Sequence, residues 1–144
     1  MKHLILATIV AGIAAGCSSS GGSSPAHTKE TPTSLAAYAG QVNYPTKFKP
    51  YLEPSIVATV DRRSGMMTLR NFGNAGVMEP RIWVNEVFVY RVPQIGPKST
   101  IMLKRDNFYD SAGRSLKGLP PSAINKIQIE TSESLIDVQG PMAE

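Results

Sequence analysis

Ser55-Ile56-Val57-Ala58-Thr59-Val60, then Asp61-Arg62-Arg63-Ser64-Gly65, then Met66-Met67-Thr68-Leu69-Arg70-Asn71-Phe72 reads as strand, turn and strand. The first run is β-branched and alternates in polarity, as a half-buried strand does, and the polar cluster ending in Gly65 carries hairpin-loop chemistry. Working toward the C-terminus, Gly73-Asn74-Ala75-Gly76 breaks the second strand, and Arg81 to Val84 and Val87 to Val92 flank Asn85-Glu86 as a further hairpin. Pro93 to Lys98 is a turn, Ser99 to Leu103 a strand, and Asp110-Ser111-Ala112-Gly113 a reversal. Ile124 to Thr131 and Leu135 to Gln139 complete the count, with Ile127 and Ile129 facing inward and Lys126, Gln128 and Glu130 outward. About seven short strands between turn clusters predict an all-β fold, a small antiparallel β-sandwich over residues 51–140.

The register of the 81–92 hairpin decides what its aromatics do. With a two-residue loop, Val84 meets Val87 and Ile82 meets Val89, while Trp83 meets Phe88 and Arg81 meets Tyr90 on the other face. With a three-residue loop, Ile82, Val84, Phe88 and Tyr90 share the core face and Trp83 and Val89 lie outside. Both faces are apolar either way, so the one turned from the core is covered by another segment, such as Tyr38 to Tyr51, or meets a partner. Arg81, Trp83, Phe88 and Tyr90 are the candidate binding surface.

Upstream of residue 51 the composition changes. Gln41 to Leu52 holds Tyr44, Phe48 and Tyr51 among Gly40, Pro45 and Pro50, and reads as an extended lead-in that packs on the domain. Leu35 to Gly40 can form a short helical turn. Ser18 to Ser34 is rich in Ser, Gly, Thr and Pro without hydrophobic periodicity, which predicts a flexible tether spanning roughly 20 to 25 Å on average. The first residues are of another kind again: Lys2 and His3 start an apolar run, Leu4 to Ile13, which ends in small residues at Ala14, Ala15 and Gly16. That is the plan of a secretory signal, too short to cross a bilayer as a helix.

Ala14-Ala15-Gly16-Cys17 resembles the lipobox of bacterial lipoprotein precursors. The resemblance implies a signal peptide over residues 1–16, cleavage ahead of Cys17, and diacylglycerol on its sulfur. It departs from the family in having Ala14 where Leu is usual. An ordinary signal peptidase site is the competing reading, because Ala14 and Gly16 are both small, but it would leave a free, oxidisable thiol. Two or three acyl chains would anchor the protein firmly, since each buried methylene contributes about 0.8 kcal/mol. Ser18, where an aspartate retains many such proteins at the inner membrane, implies sorting to the outer membrane. The stretches Leu69-Arg70-Asn71, Ile82 to Tyr90 and Asn107 to Gly113 are also similar to small sandwich domains of envelope lipoproteins, a likeness of spacing and turn residues rather than of any catalytic motif.

Composition narrows the function. Net charge is +4, and loss of the signal removes only Lys2, leaving +3. No basic run exceeds Arg62-Arg63 or Lys104-Arg105, so nucleic acid is not an expected partner. A single cysteine permits no intrachain disulfide. The two histidines, His3 and His27, fall in the signal and tether, so histidine-based catalysis and metal ligation are not expected. Asp106, Asn107, Asp110 and Gly113 fit an Asx-type bend better than a calcium loop, because Phe108 stands where a ligand would fall. The expectation is a non-enzymatic, cofactor-free envelope lipoprotein that contacts a membrane through Cys17 and a protein partner through its domain. The alternative is a glycan- or peptidoglycan-binding module in which Trp83, Tyr90 or Tyr109 stacks on sugar rings.

Overall fold

The computed structural model describes residues 30–143. The signal, Cys17 and most of the expected tether lie outside the described residues. The domain is all-β, as the alternation at Ser55 to Val60 demands, with one short helix ahead of the first strand.

Nine strands follow in chain order: β1 (Tyr51–Val60), β2 (Met67–Asn71), β3 (Val77–Met78), β4 (Arg81–Val84), β5 (Phe88–Arg91), β6 (Gln94–Ile95), β7 (Thr100–Leu103), β8 (Ile127–Glu130) and β9 (Leu135–Ala143). Seven form one sheet in the order β5-β4-β8-β9-β1-β2-β7, and β3 and β6 make a two-stranded ribbon. Every neighbouring pair in the large sheet is antiparallel except β1 with β9. The sheet is therefore mixed where a purely antiparallel one was expected, because the last strand returns beside the first in the same direction.

One sheet face gathers the core. Ile56, Ala58 and Val60 of β1, Met67 and Leu69 of β2, Ile82 and Val84 of β4, and Ile127 and Ile129 of β8 are buried in a single cluster. Phe88 from one sheet edge and Leu103 from the other belong to it too, so the sheet curls until its edges share a core. Between β7 and β8 the chain makes three 3-10 turns, Arg105–Asn107, Leu116–Gly118 and Pro121–Ala123. This segment inserts Phe108, Leu116 and Ile124 into the core. It also bridges the outer edge of β5, where Val89 and Tyr109 exchange backbone hydrogen bonds of 2.9 and 3.3 Å.

β1 begins earlier than alternation indicates and carries Pro54 within it. Proline cannot donate to a ladder, and the register with β9 slips between Leu52 and Val57. Pro54 therefore sits at a bulge in β1.

The helix α1 (Pro32–Ala39) takes Pro32, Thr33 and Ser34 from the expected tether. A reciprocal cap starts it: the Thr31 hydroxyl accepts from Ser34 N at 3.2 Å, and Ser34 Oγ accepts from Thr31 N at 3.0 Å. Pro32 fits the first turn, where its missing donor costs nothing. Leu35 and Ala39 are buried against the convex side of the sheet, and the lead-in continues across that side to Phe48.

Candidate functional site

The 81–92 hairpin takes the three-residue register. Ile82 pairs with Tyr90, Trp83 with Val89 and Val84 with Phe88. Asn85 and Glu86 both have positive φ, 52° and 64°, and Val87 N donates to Val84 O at 3.1 Å. That is a tight primed-type turn of two residues, with Val87 bulged beyond it, and the bulge moves the register by one. Asparagine tolerates the left-handed conformation, and the rest of the fold fixes it. Asn85 Oδ1 accepts from the backbone N–H of Asn125 (2.9 Å) and Lys126 (3.1 Å), and its amide donates to Ala123 O at 2.6 Å.

That register separates the four candidate surface residues. Phe88 turns into the core at 8% exposure, with Tyr90 half-buried beside it and tilted against Phe108. Trp83 turns to the convex side, yet is only 2% exposed because the N-terminal strap lies over it. Arg81 alone keeps substantial exposure. The four do not form one exposed surface, because a side-chain period of two in this register sends Trp83 and Phe88 to opposite faces.

Over Trp83 the strap supplies Leu35, Ala39 and Tyr44, with Val89 and Tyr109 completing the cluster. The Tyr44 ring stands edge-on to the indole, centroids 5.4 Å apart at 87°. Beneath it runs a chain of polar side chains. Tyr44 Oη donates to Gln128 Oε1 at 2.7 Å, and Gln128 Nε2 donates to Asp137 Oδ1 at 2.7 Å. Burial raises the Tyr44 phenol above its ordinary pKa, so it remains a donor. Alongside, Trp83 Nε1 donates to Glu130 Oε2 at 2.8 Å and Arg81 Nη1 to Glu130 Oε1 at 2.9 Å. Gln128 and Glu130 point away from the core as alternation predicts, but both are buried, the strap being their cover.

Both oxygens of Glu130 are thus engaged, one by a cation and one by the indole, which makes the carboxylate a brace between β4 and β8. From sequence Gln128 and Glu130 are outward-facing and Tyr44 belongs to a lead-in that packs on the domain, but nothing local to β8 announces that these side chains meet across more than eighty residues.

At the Arg81 end of the hairpin, two adjoining grooves share Met78, Thr131 and Ser132. One, of about 470 Å³, runs past Tyr51, Glu53, Asn74 and Ser134. The other, of about 540 Å³, is lined by Lys47, Phe48, Glu79, Arg81 and Glu130. Asp110 organises the bend that the sequence announces: its Oδ1 accepts from Ala112 N (3.0 Å) and Arg114 N (2.8 Å), and its Oδ2 from Arg114 Nε (2.6 Å). Burial opposes its charge, but these donors and the Arg114 cation outweigh it and hold the carboxyl below its usual pKa. Among the described residues, no three His, Cys, Asp or Glu side chains gather in a way that could hold a metal ion. No protein-family profile matches the chain, and no curated protein or solved structure matches it significantly.

Proposed function

We propose that the chain is the precursor of a bacterial lipoprotein, cut ahead of Cys17 and held on the cell envelope, at the outer membrane, by lipid on that residue. Its β-domain acts without catalysis, by contact with another envelope protein. The observation that carries the reading is the order of features at the start: Lys2-His3, the apolar run Leu4 to Ile13, and Ala14-Ala15-Gly16-Cys17 with the chain's one cysteine. Attachment through Cys17 asks for no spanning segment in the domain, and among the described residues no helix is long and apolar enough to cross a membrane.

Contact with a protein is favoured by the outer edge of β7. This strand pairs with β2 on one side, ends the sheet on the other, and leaves Met102 73% exposed. An open edge offers backbone donors and acceptors to an added strand. The glycan alternative asks for Trp83, Tyr90 or Tyr109 as an exposed platform, and Trp83 and Tyr109 are buried.

Two measurements test the reading. Mass spectrometry of the mature amino terminus is expected to find acylated Cys17, and an unmodified cysteine or another start overturns the anchor. A photo-crosslinking residue at Met102 is expected to capture a defined envelope protein in intact cells, while one at Thr59, on the neighbouring convex surface of β1, captures none. Equal capture at both positions, or none at either, overturns contact through the β7 edge.

A further inference from the structure

One end of the domain concentrates cations that have no strong partner. β1 ends at Val60 and β7 at Leu103, both paired with Met67, so the Asp61 to Met66 loop and the Lys104 to Asn107 turn share that end. Arg62, Arg63 and Lys104 are exposed there, and Lys117 joins them from the following turn. Arg105 lies across Gly65, whose φ of +69° and missing Cβ make room for the guanidinium, and it donates to Leu119 O. The five cations face two acids. Asp61 is engaged by the Ser64 hydroxyl and the Arg63 N–H, and Asp106 meets Lys117 at 3.3 Å in a pair that is exposed on both sides. An exposed pair of that kind holds its cation weakly. Ser64, Gly65, Lys104, Arg105, Asp106 and Lys117 frame a hollow of about 240 Å³, open to a phosphate-sized group. Toward the opposite end of the strands Arg81 pairs with Glu130 and Arg91 with Glu79, while Arg70 lies over the Phe72 ring.

The described residues begin beside the turn that carries two of these cations. Glu30 and Asn107 both face the Tyr90 hydroxyl, and Asn107 closes the turn that carries Arg105 and Asp106. Thirteen residues lie from Cys17 to Lys29, which reach at most about 45 Å when fully extended.

We propose that this basic end is a docking surface for anionic phospholipid head groups, with Lys104, Arg105 and Lys117 receiving a head-group phosphate and Arg62 and Arg63 extending the contact. The inference rests on the lipid-anchor reading: an anchor at Cys17 keeps the domain within about 45 Å of the bilayer, where the basic end can reach it. There the anionic surface potential acts on lysine and arginine within a Debye length. With the basic end against the membrane, the β7 strand runs away from it, and its edge stays open along its length to a partner beside the domain.

The test uses the chain from residue 17 onward carrying Cys17→Ser, so that no acyl group contributes. It is expected to sediment with vesicles containing phosphatidylglycerol, to ignore vesicles of phosphatidylcholine alone, and to be released by high salt. Arg62→Ala, Arg63→Ala, Lys104→Ala and Lys117→Ala each remove a charge from an exposed position, and each is expected to weaken partitioning about fivefold. Lys98→Ala, at the other end, is expected to leave it unchanged. Circular dichroism identifies any variant that fails to fold. Equal binding to neutral vesicles, no binding to anionic ones, or binding to a soluble polyanion without binding to vesicles overturns the docking surface. Because the probe is unacylated, such a failure leaves the anchor standing, whereas an unmodified Cys17 in cells removes the anchor and leaves the vesicle result intact.

Discussion

Single side chains hold this fold at points where the backbone is strained or charge is buried. Asn85 adopts φ 52° and ties the β4–β5 turn to residues 123–126 through three hydrogen bonds. Asn85→Ala strands two backbone donors and an acceptor and forces alanine into a left-handed conformation, with an expected loss of about 2 to 4 kcal/mol. A fall in the urea midpoint at unchanged slope is the measurement. Glu86→Gly is expected to act in the opposite sense, by about 0.5 to 1 kcal/mol, because glycine accepts φ 64° and the Lys126 pair it gives up is exposed on both sides. Asp110 ties stability to pH. Its pKa is lower in the folded chain than in the unfolded one, so its contribution is complete above the ordinary carboxyl value of about 3.9 and is lost as pH falls through the lowered folded value. Asp110→Asn is expected to flatten the acid limb of a plot of urea midpoint against pH while lowering the plateau at neutral pH. Equal acid slopes in both proteins would assign that limb to other carboxylates.

Among the elements, the strap of α1 and the lead-in to Phe48 turns a two-faced sheet into a covered one. Tyr44→Ala removes the edge-on contact with Trp83 and the donor to Gln128, with an expected cost of about 1 to 3 kcal/mol. The chain has one tryptophan, so its fluorescence reports the strap directly. Emission is expected to be blue-shifted in the intact domain and to move to the red in Tyr44→Ala or in a chain starting at Lys49. Unchanged emission in the shortened chain would mean that Trp83 is shielded without the strap. The strands themselves were legible, since alternation at Ser55 to Val60 and at Ile127 to Glu130 depends only on neighbouring residues. The lead-in's packing was legible in its tyrosines. The helix was legible as a turn from Leu35, but its start was not, because the Thr31 to Ser34 cap is written in the same residues that make a tether look unstructured. The hairpin register was legible only as two alternatives, for Val87 bulges in response to the turn and to contacts forty residues away. Parallel pairing of β1 with β9 joins segments at opposite ends of the domain, and local pattern carries no trace of it. The four candidate surface residues are divided between two faces and Trp83 is covered, because facing is a local property, whereas exposure depends on what folds back over the residue.

For the whole molecule, everything about destination hangs on Cys17. If its sulfur carries diacylglycerol, the wild-type protein partitions into detergent and sediments with membranes. In Cys17→Ser the lipid is gone, and what remains is the basic end, whose attraction to an anionic surface is reversible and screened by salt. The expected outcome is therefore graded: wild type stays with the membrane pellet through a high-salt wash, and a Cys17→Ser chain freed of its signal leaves it. The signal has to be accounted for separately, because a peptidase that requires the lipidated cysteine would leave residues 1–16 in place, and their apolar run alone could hold the variant to a membrane. Mass measurement distinguishes the two, since the uncut chain keeps Met1 to Gly16 and the processed one starts at or near residue 17. Processed Cys17→Ser that resists the salt wash would sink the lipid anchor, for something other than acyl chains would then be holding the protein. Density-gradient fractionation of the wild type addresses the destination: Ser18 after the cysteine leads to the outer membrane in the resemblance, and recovery in the inner membrane would remove that assignment while leaving the acylated cysteine untouched.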